Sequence, residues 1–251
     1  MIDKEYNHYL DIHCHYDELS ADILRNCFDK NNILALSASV DINSYERLEQ
    51  LRKEKIKGLY LAYGLYPDEV VTKPLPKLLD ELKKINFENA IAIGEIGLDN
   101  KVTKDKQLRE NQKILFTRQL EIAEKLNKPV VVHTRYATKA TLEVLKDYPK
   151  LKIILHWFSG NNDEIKEALS RGYSISNRFG KPIINNVTEY LGQIFIETDY
   201  PIPYNNQPAK TDGIIESYNV FCKENNLELD LVKKTMVKNF SKLFNIKIDE
   251  L

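Results

Sequence analysis

Short, nearly continuous apolar runs alternate with longer stretches of mixed polarity along the whole chain. The runs cover residues 9–13 (YLDIH), 33–39 (ILALSAS), 59–64 (LYLAYG), 90–94 (AIAIG), 130–133 (VVVH), 153–156 (IILH), 173–176 (YSIS) and 194–198 (IFIET). They are rich in β-branched residues, as are strands of a parallel sheet covered on both faces. Between them the spacing predicts helices over 22–30, 44–55, 75–85, 104–126, 138–146 and 163–171, and after the last run over 212–224 and 229–243. In 104–126 the apolar Leu108, Ile114, Leu115, Leu120, Ile122 and Ala123 recur among Lys, Arg, Glu and Gln, the pattern of an amphipathic helix. Asn161 or Asn162 suits the start of 163–171 and Gly172 its end.

Strands alternating with helices imply either a closed barrel or a large open parallel sheet. The eight runs match the count that a (β/α)8 barrel needs. No glycine-rich phosphate loop opens the first helix, as a dinucleotide-binding sheet would show. The expectation is an α/β fold, a (β/α)8 TIM barrel, forming a single domain over residues 1–251.

Composition narrows the function. The hydrophobic fraction of 43% and charged fraction of 29% are those of a globular chain. The net charge of −1 gives no reason to expect a basic face for gripping long duplex nucleic acid. A polyanion remains a candidate substrate, because bound cations add local charge that a residue count omits. Cys14, Cys27 and Cys222 are not closely spaced, which argues against a disulfide framework or a CxxC zinc site and for a reducing cytoplasm. The N-terminus carries charges where a signal peptide needs an apolar run, and no apolar stretch is long enough to span a membrane.

The polar residues at the strand ends carry the chemistry. A parallel barrel places its active site at the carboxyl ends of its strands. The first strand ends in His13-Cys14-His15, whose two-residue spacing puts both imidazoles on one face. Glu95 follows the fourth apolar run, where a carboxylate is costly unless paired or metal-bound. His133 ends the fifth run, His156 the sixth, and Asp199 follows the eighth. One histidine at a strand end is more often structural than a ligand. Four of the chain's five histidines and two carboxylates, on five strands, are better explained as a site for two divalent ions that Glu95 could bridge.

At these residues the sequence resembles the TatD family of metal-dependent deoxyribonucleases, a branch of the amidohydrolase-like barrels. The motifs occur in order: Asp11-Ile12-His13-Cys14-His15-Tyr16-Asp17, the GEIGLD run from Gly94 to Asp99, the segment from Pro129 to Ala137 containing His133 and Arg135, His156-Trp157-Phe158-Ser159-Gly160, and Glu197-Thr198-Asp199 with Pro201. Gln107, Gln112, Phe116, Gln119, Leu120 and Ala123 fit the family's spacing, as do Asn239 and Leu243-Phe244 near the end. The resemblance implies that His13, His15 and Asp199 hold one metal, that His133 and His156 hold the other, and that Glu95 bridges them. It implies that Asp199 orients the attacking water, that Arg135 faces a substrate phosphate, and that the turn at Ser159 and Gly160 offers backbone amides to it. The ions would be Mg2+, Mn2+ or Zn2+. Two positions depart from the pattern: Tyr66 stands where the family has His, and Tyr136 where it has an acidic residue.

The function expected is a metal-dependent phosphodiesterase, an exonuclease on single-stranded or frayed DNA ends. Tyr66, Tyr136, Trp157 and Phe158 lie in strand-end loops and are candidates to stack on bases, with core packing the expectation for one of Trp157 and Phe158. The HWFSG form also resembles TatD-like nucleases of Qat-type anti-phage defence clusters, which implies protein partners in a defence complex. Two alternatives stay open: a small-molecule hydrolase of the same superfamily, acting on a lactone, amide or ester, and a nuclease subunit active only inside such a complex. Many of the small-molecule hydrolases bridge their metals with a strand-four lysine, where this chain has Glu95.

Overall fold

A computed structural model describes residues 7–178, 186–203 and 207–247. Eight parallel strands lie in sequence order in one sheet: β1 (Tyr9–Cys14), β2 (Ile33–Ala38), β3 (Leu59–Tyr63), β4 (Ala92–Asp99), β5 (Val130–Arg135), β6 (Ile153–Leu155), β7 (Ser174–Arg178) and β8 (Ile194–Glu197). The helices are α1 (Ala21–Asn31), α2 (Ile42–Lys53), α3 (Glu69–Thr72), α4 (Leu75–Leu82), α5 (Lys106–Leu126), α6 (Thr138–Leu145), α7 (Asn162–Ser170), α8 (Ile214–Asn225) and α9 (Leu229–Phe244). This is the expected (β/α)8 barrel. Among the described residues, no helix is long and apolar enough to cross a membrane.

Local chemistry sets the helix ends. Ser20 caps α1 by accepting from the Ile23 N–H, and Asn161 forms a reciprocal capping box with Glu164 at α7. Asn32, Asn127, Asn226 and Asn245 end α1, α5, α8 and α9 in the left-handed conformation that asparagine tolerates. The strands are buried along nearly their whole length, which is why they read as unbroken apolar runs.

Strand β4 differs from its expected span. It runs on through Glu95 to Asp99, because Ile96, Gly97, Leu98 and Asp99 pair with Val132, His133, Thr134 and Arg135 beyond a register shift at Ile93–Ile96. The glycines and acids that broke the apolar pattern lie inside a strand. Gly97 has φ +147, and a Cβ there would lie 2.0 Å from the His133 carbonyl oxygen. The backbones of β4 and β5 therefore approach more closely at this pair than any side chain would allow.

The barrel closes between β8 and β1 without a regular ladder. The Asp11 carboxylate accepts from the Thr198 N–H at 3.0 Å and from its hydroxyl at 2.6 Å. The Asp199 N–H donates to the His13 carbonyl at 3.0 Å, and the His15 N–H to that of Tyr200 at 2.7 Å. Lower in the seam, the Tyr218 hydroxyl from α8 accepts from the Leu10 N–H at 3.0 Å and donates to the Leu10 carbonyl at 3.2 Å. A helix side chain thus satisfies backbone groups that a neighbouring strand would otherwise meet.

Candidate metal centre

The six residues singled out from the sequence converge at the carboxyl-terminal mouth of the barrel, and all but half-buried His15 are buried. Glu95 is the hub. One carboxylate oxygen lies 3.4 Å from both His13 Nε2 and His15 Nε2. The other lies 2.7 Å from His156 Nε2 and 2.9 Å from His133 Nδ1. Asp199 faces the same two nitrogens of β1, 3.7 Å from His13 Nε2 and 3.5 Å from His15 Nε2. Two groups of three have potential ligand atoms within 4.8 Å of one another: His13, His15 and Asp199, and His13, Glu95 and His156.

The protein fixes which ring nitrogen of three of these histidines points inward. His15 Nδ1 contacts the Ala38 carbonyl at 2.9 Å, leaving Nε2 for the centre. His156 turns Nδ1 towards the buried Glu197, 3.6 Å away, and Nε2 towards Glu95. His133 is reversed: its Nε2 meets Asp99 at 3.1 Å and the Tyr66 hydroxyl at 3.0 Å, so Nδ1 faces the centre. A carboxylate or carbonyl on the remote nitrogen is how proteins orient an imidazole for a metal. His13 Nε2 is buried with no hydrogen-bond partner although it points at two carboxylates. A bound cation would satisfy that nitrogen, and the mixed imidazole and carboxylate set suits a divalent ion. The residues therefore fit a metal site.

The electrostatics agree. Burial opposes ionisation of Glu95, yet His156 and His13 beside it hold its carboxyl well below the ordinary range. Burial opposes protonation of His15, but Asp199 and Glu95 raise its pKa to about 10. Glu95 and Glu197 raise His156 well above its usual value although burial opposes this, while burial and the neighbouring His156 lower His13. The pocket is a negative well, and it stabilises positive charge whether that arrives as protons or as metal ions.

Asp99 adjoins the site, although sequence reasoning assigns it no role beyond its motif. One of its oxygens accepts from Arg135 through Nε at 2.7 Å and Nη2 at 2.6 Å, from His133 Nε2 at 3.1 Å and from the Tyr66 hydroxyl at 3.3 Å. From α5, Gln112 accepts from the Asp99 N–H and donates to its carbonyl, both at 3.0 Å. Gln119 does the same for Leu65, at 2.7 and 3.0 Å, beside Tyr66. The buried glutamines of the motif are thus struts for strand ends, whereas Gln107 is exposed and bonds to Asn111 along its own helix. The signal for Asp99 was present: an acid closing a strand, once the strand is extended past Glu95.

The other candidates separate. Arg135 keeps its side chain 43% exposed despite Asp99. Trp157 is exposed and Phe158 buried, so core packing falls to Phe158. Ser159 lines a cleft at the mouth. Gly160 lies against the Phe158 ring, where a Cβ would come within 2.8 Å. Tyr66 is tied into the Asp99 network, edge-on to His133 with ring centroids 4.7 Å apart.

A profile described as TatD related DNase matches residues 10–245. An uncharacterized metal-dependent hydrolase of Methanocaldococcus jannaschii is 28% identical over 260 residues, covering 96% of this chain and 98% of the relative. Human deoxyribonuclease TATDN3 is 28% identical over 184 residues, covering 66% of each chain. The crystal structure of YJJV, a TatD homologue from Escherichia coli, superposes with a TM-score of 0.78 over 95% of this chain and 98% of that one; at 23% identity it shows the shared fold.

Proposed function

This chain belongs to the TatD-related DNase family of metal-dependent hydrolases, and on that premise we propose that it is a two-metal phosphodiesterase that removes nucleotides from single-stranded or frayed DNA ends. The observation that carries the reading is the convergence of four imidazoles and the Asp199 carboxylate around Glu95, with His13 Nε2 lacking a partner and Arg135 at the rim. The name of the human relative, a deoxyribonuclease, supports DNA as the substrate.

His13, His15 and Asp199 would hold one divalent ion, His133 and His156 the other, and Glu95 would serve both. Divalent ions bound there supply activation of water near neutral pH and charge compensation for phosphate oxygens. Asp199 is held ionised by the histidines around it although burial opposes this, so its carboxylate is ready to align the attacking water and take its proton. Arg135, gripped by Asp99 but still exposed, presents a planar donor array to the phosphate as charge builds on it. Tyr66 buttresses His133 from the side opposite the centre. A concave mouth suits a strand end better than an uninterrupted duplex. Cys14, Cys27 and Cys222 are all free and buried, which supports a cytoplasmic setting.

The test is degradation of end-labelled single-stranded DNA with Mg2+, Mn2+, Zn2+ or no added metal, beside Glu95→Ala. Metal-dependent shortening from one end is expected, with a loss of about a thousandfold or more in the variant. An intact substrate, with metals shown to be bound by elemental analysis, would overturn the reading in favour of hydrolysis of a small ester, amide or lactone, or of an enzyme that works only inside a complex.

A further inference from the structure

Two clefts of about 510 Å³ each open at the barrel mouth and share His133, Arg135, His156 and Trp157. They differ in charge. The first holds Glu95 and Asp199 of the candidate metal centre and, beyond them, Glu18, Asp68 and Asp17, the last paired with Arg47 at 2.5 Å. Burial and neighbouring acids raise the Asp68 carboxyl to about 6. The second is lined by Lys101, Arg135, Tyr136, Thr138, Trp157 and Ser159 along with the two histidines, and no carboxylate is among its described lining residues.

Tyr136 and Trp157 stand out within the second cleft. They follow the strand-end residues Arg135 and His156 directly, and they are 76% and 45% exposed. Both adopt left-handed backbone, with φ 56 and 39. That conformation is unfavourable for a bulky side chain, and such strain collects at ligand-binding positions. The asparagines with positive φ at the helix ends need no such explanation.

We propose that this second cleft is a nucleoside subsite, in which Tyr136 and Trp157 stack on the base of the nucleotide beside the scissile phosphate while Lys101 meets the next phosphate of the strand. The inference rests on the phosphodiesterase reading and adds to it where the chain lies. Aromatic faces accept any base and cations follow the backbone, so the subsite favours an unpaired strand without selecting its sequence. The continuing polyanion leaves through the cationic cleft, and the acid-lined cleft takes the short terminal piece.

Trp157 is the chain's one tryptophan, so its fluorescence reports directly on this cleft. The full-length protein in Mg2+ would be titrated with phosphorothioate-linked pentathymidylate, and separately with an abasic oligomer carrying the same linkages. A saturable change is expected for the first, with the abasic oligomer bound at least about fivefold more weakly. Tyr136→Ala should remove most of that difference and Tyr136→Phe should retain it, while Lys101→Ala should weaken both oligomers and flatten the salt dependence. Equal binding of the two oligomers by the wild type, or no effect of Tyr136→Ala, overturns the subsite. If either occurs while the wild type still degrades DNA, only the subsite falls. If base-dependent binding holds but no DNA is cleaved, the subsite stands and the assigned chemistry falls.

Discussion

Single residues decide how the site is tuned, and Asp99 is the most informative. One oxygen of this buried carboxylate serves Arg135, His133 and Tyr66 together, so it couples the guanidinium at the rim to an imidazole of the candidate metal centre. His133 and Arg135 hold it ionised and well below the usual carboxylate range although burial pushes the other way. Asp99→Asn keeps the shape but loses the charge and places an amide N–H₂ group among donors. The expected result is a fall in kcat/KM of about 10- to 100-fold together with weaker metal binding, the size typical of a lost outer partner. Steady-state kinetics and a metal titration on the same preparation check both parts. A variant with full metal affinity and full activity would show that the His133 orientation does not depend on Asp99.

At the scale of elements, the strand β4–β5 pair and helix α5 assemble the site. Gly97 lets the two backbones meet beside His133, and a Cβ at 2.0 Å from its carbonyl oxygen cannot be accommodated without moving β5. Gly97→Ala is expected to lower stability by about 3 kcal/mol or more and to reduce activity beyond the fraction unfolded, as read by denaturant melts beside kinetics. The longer helices were legible because they are amphipathic, and four of them carry a side-chain cap, at Ser20, Asp41, Asp105 and Asn161. The end of β4 was not, since the glycines and acids of the GEIGLD run look like a loop until β5 is alongside to pair with them. Helix α3 (Glu69–Thr72) was also missed, being too short to carry a periodic signal.

At the scale of the whole molecule, the seam between β8 and β1 holds the barrel closed. Tyr218→Phe removes the hydroxyl that serves both backbone groups of Leu10, and is expected to cost about 1–3 kcal/mol in a denaturant melt. The seam also carries a pH dependence through Asp11. Burial raises its carboxyl to about 7, against the hydrogen bonds from Thr198, whereas an unfolded aspartate sits near 3.9. The folded chain therefore holds this proton through the interval in which the unfolded chain has lost it, and the stability it contributes is lost as pH rises from about 4 to about 7. Asp11→Asn does not titrate there, and every other group is common to both proteins. The wild-type Tm should fall relative to that of Asp11→Asn between about pH 5 and about pH 8; a constant difference would place the Asp11 pKa outside this interval.

The sequence by itself determined the strand and helix alternation, the barrel class and the position of Glu95 and five further polar residues at the strand ends. These follow from local periodicity and from a rule that every parallel barrel obeys, that polar groups after an apolar strand face the mouth. Only the tertiary structure decided which nitrogen of His15, His156 and His133 points inward, because that depends on Ala38, Glu197 and Asp99 brought in from other strands. It alone gave Asp99 its place between Arg135 and His133, and divided Trp157 on the surface from Phe158 in the core. The same holds for the unequal charge of the two clefts. Adjacent residues in the chain can lie in opposite environments, and residues far apart can share one oxygen, since neither burial nor partnership is a property of the local sequence.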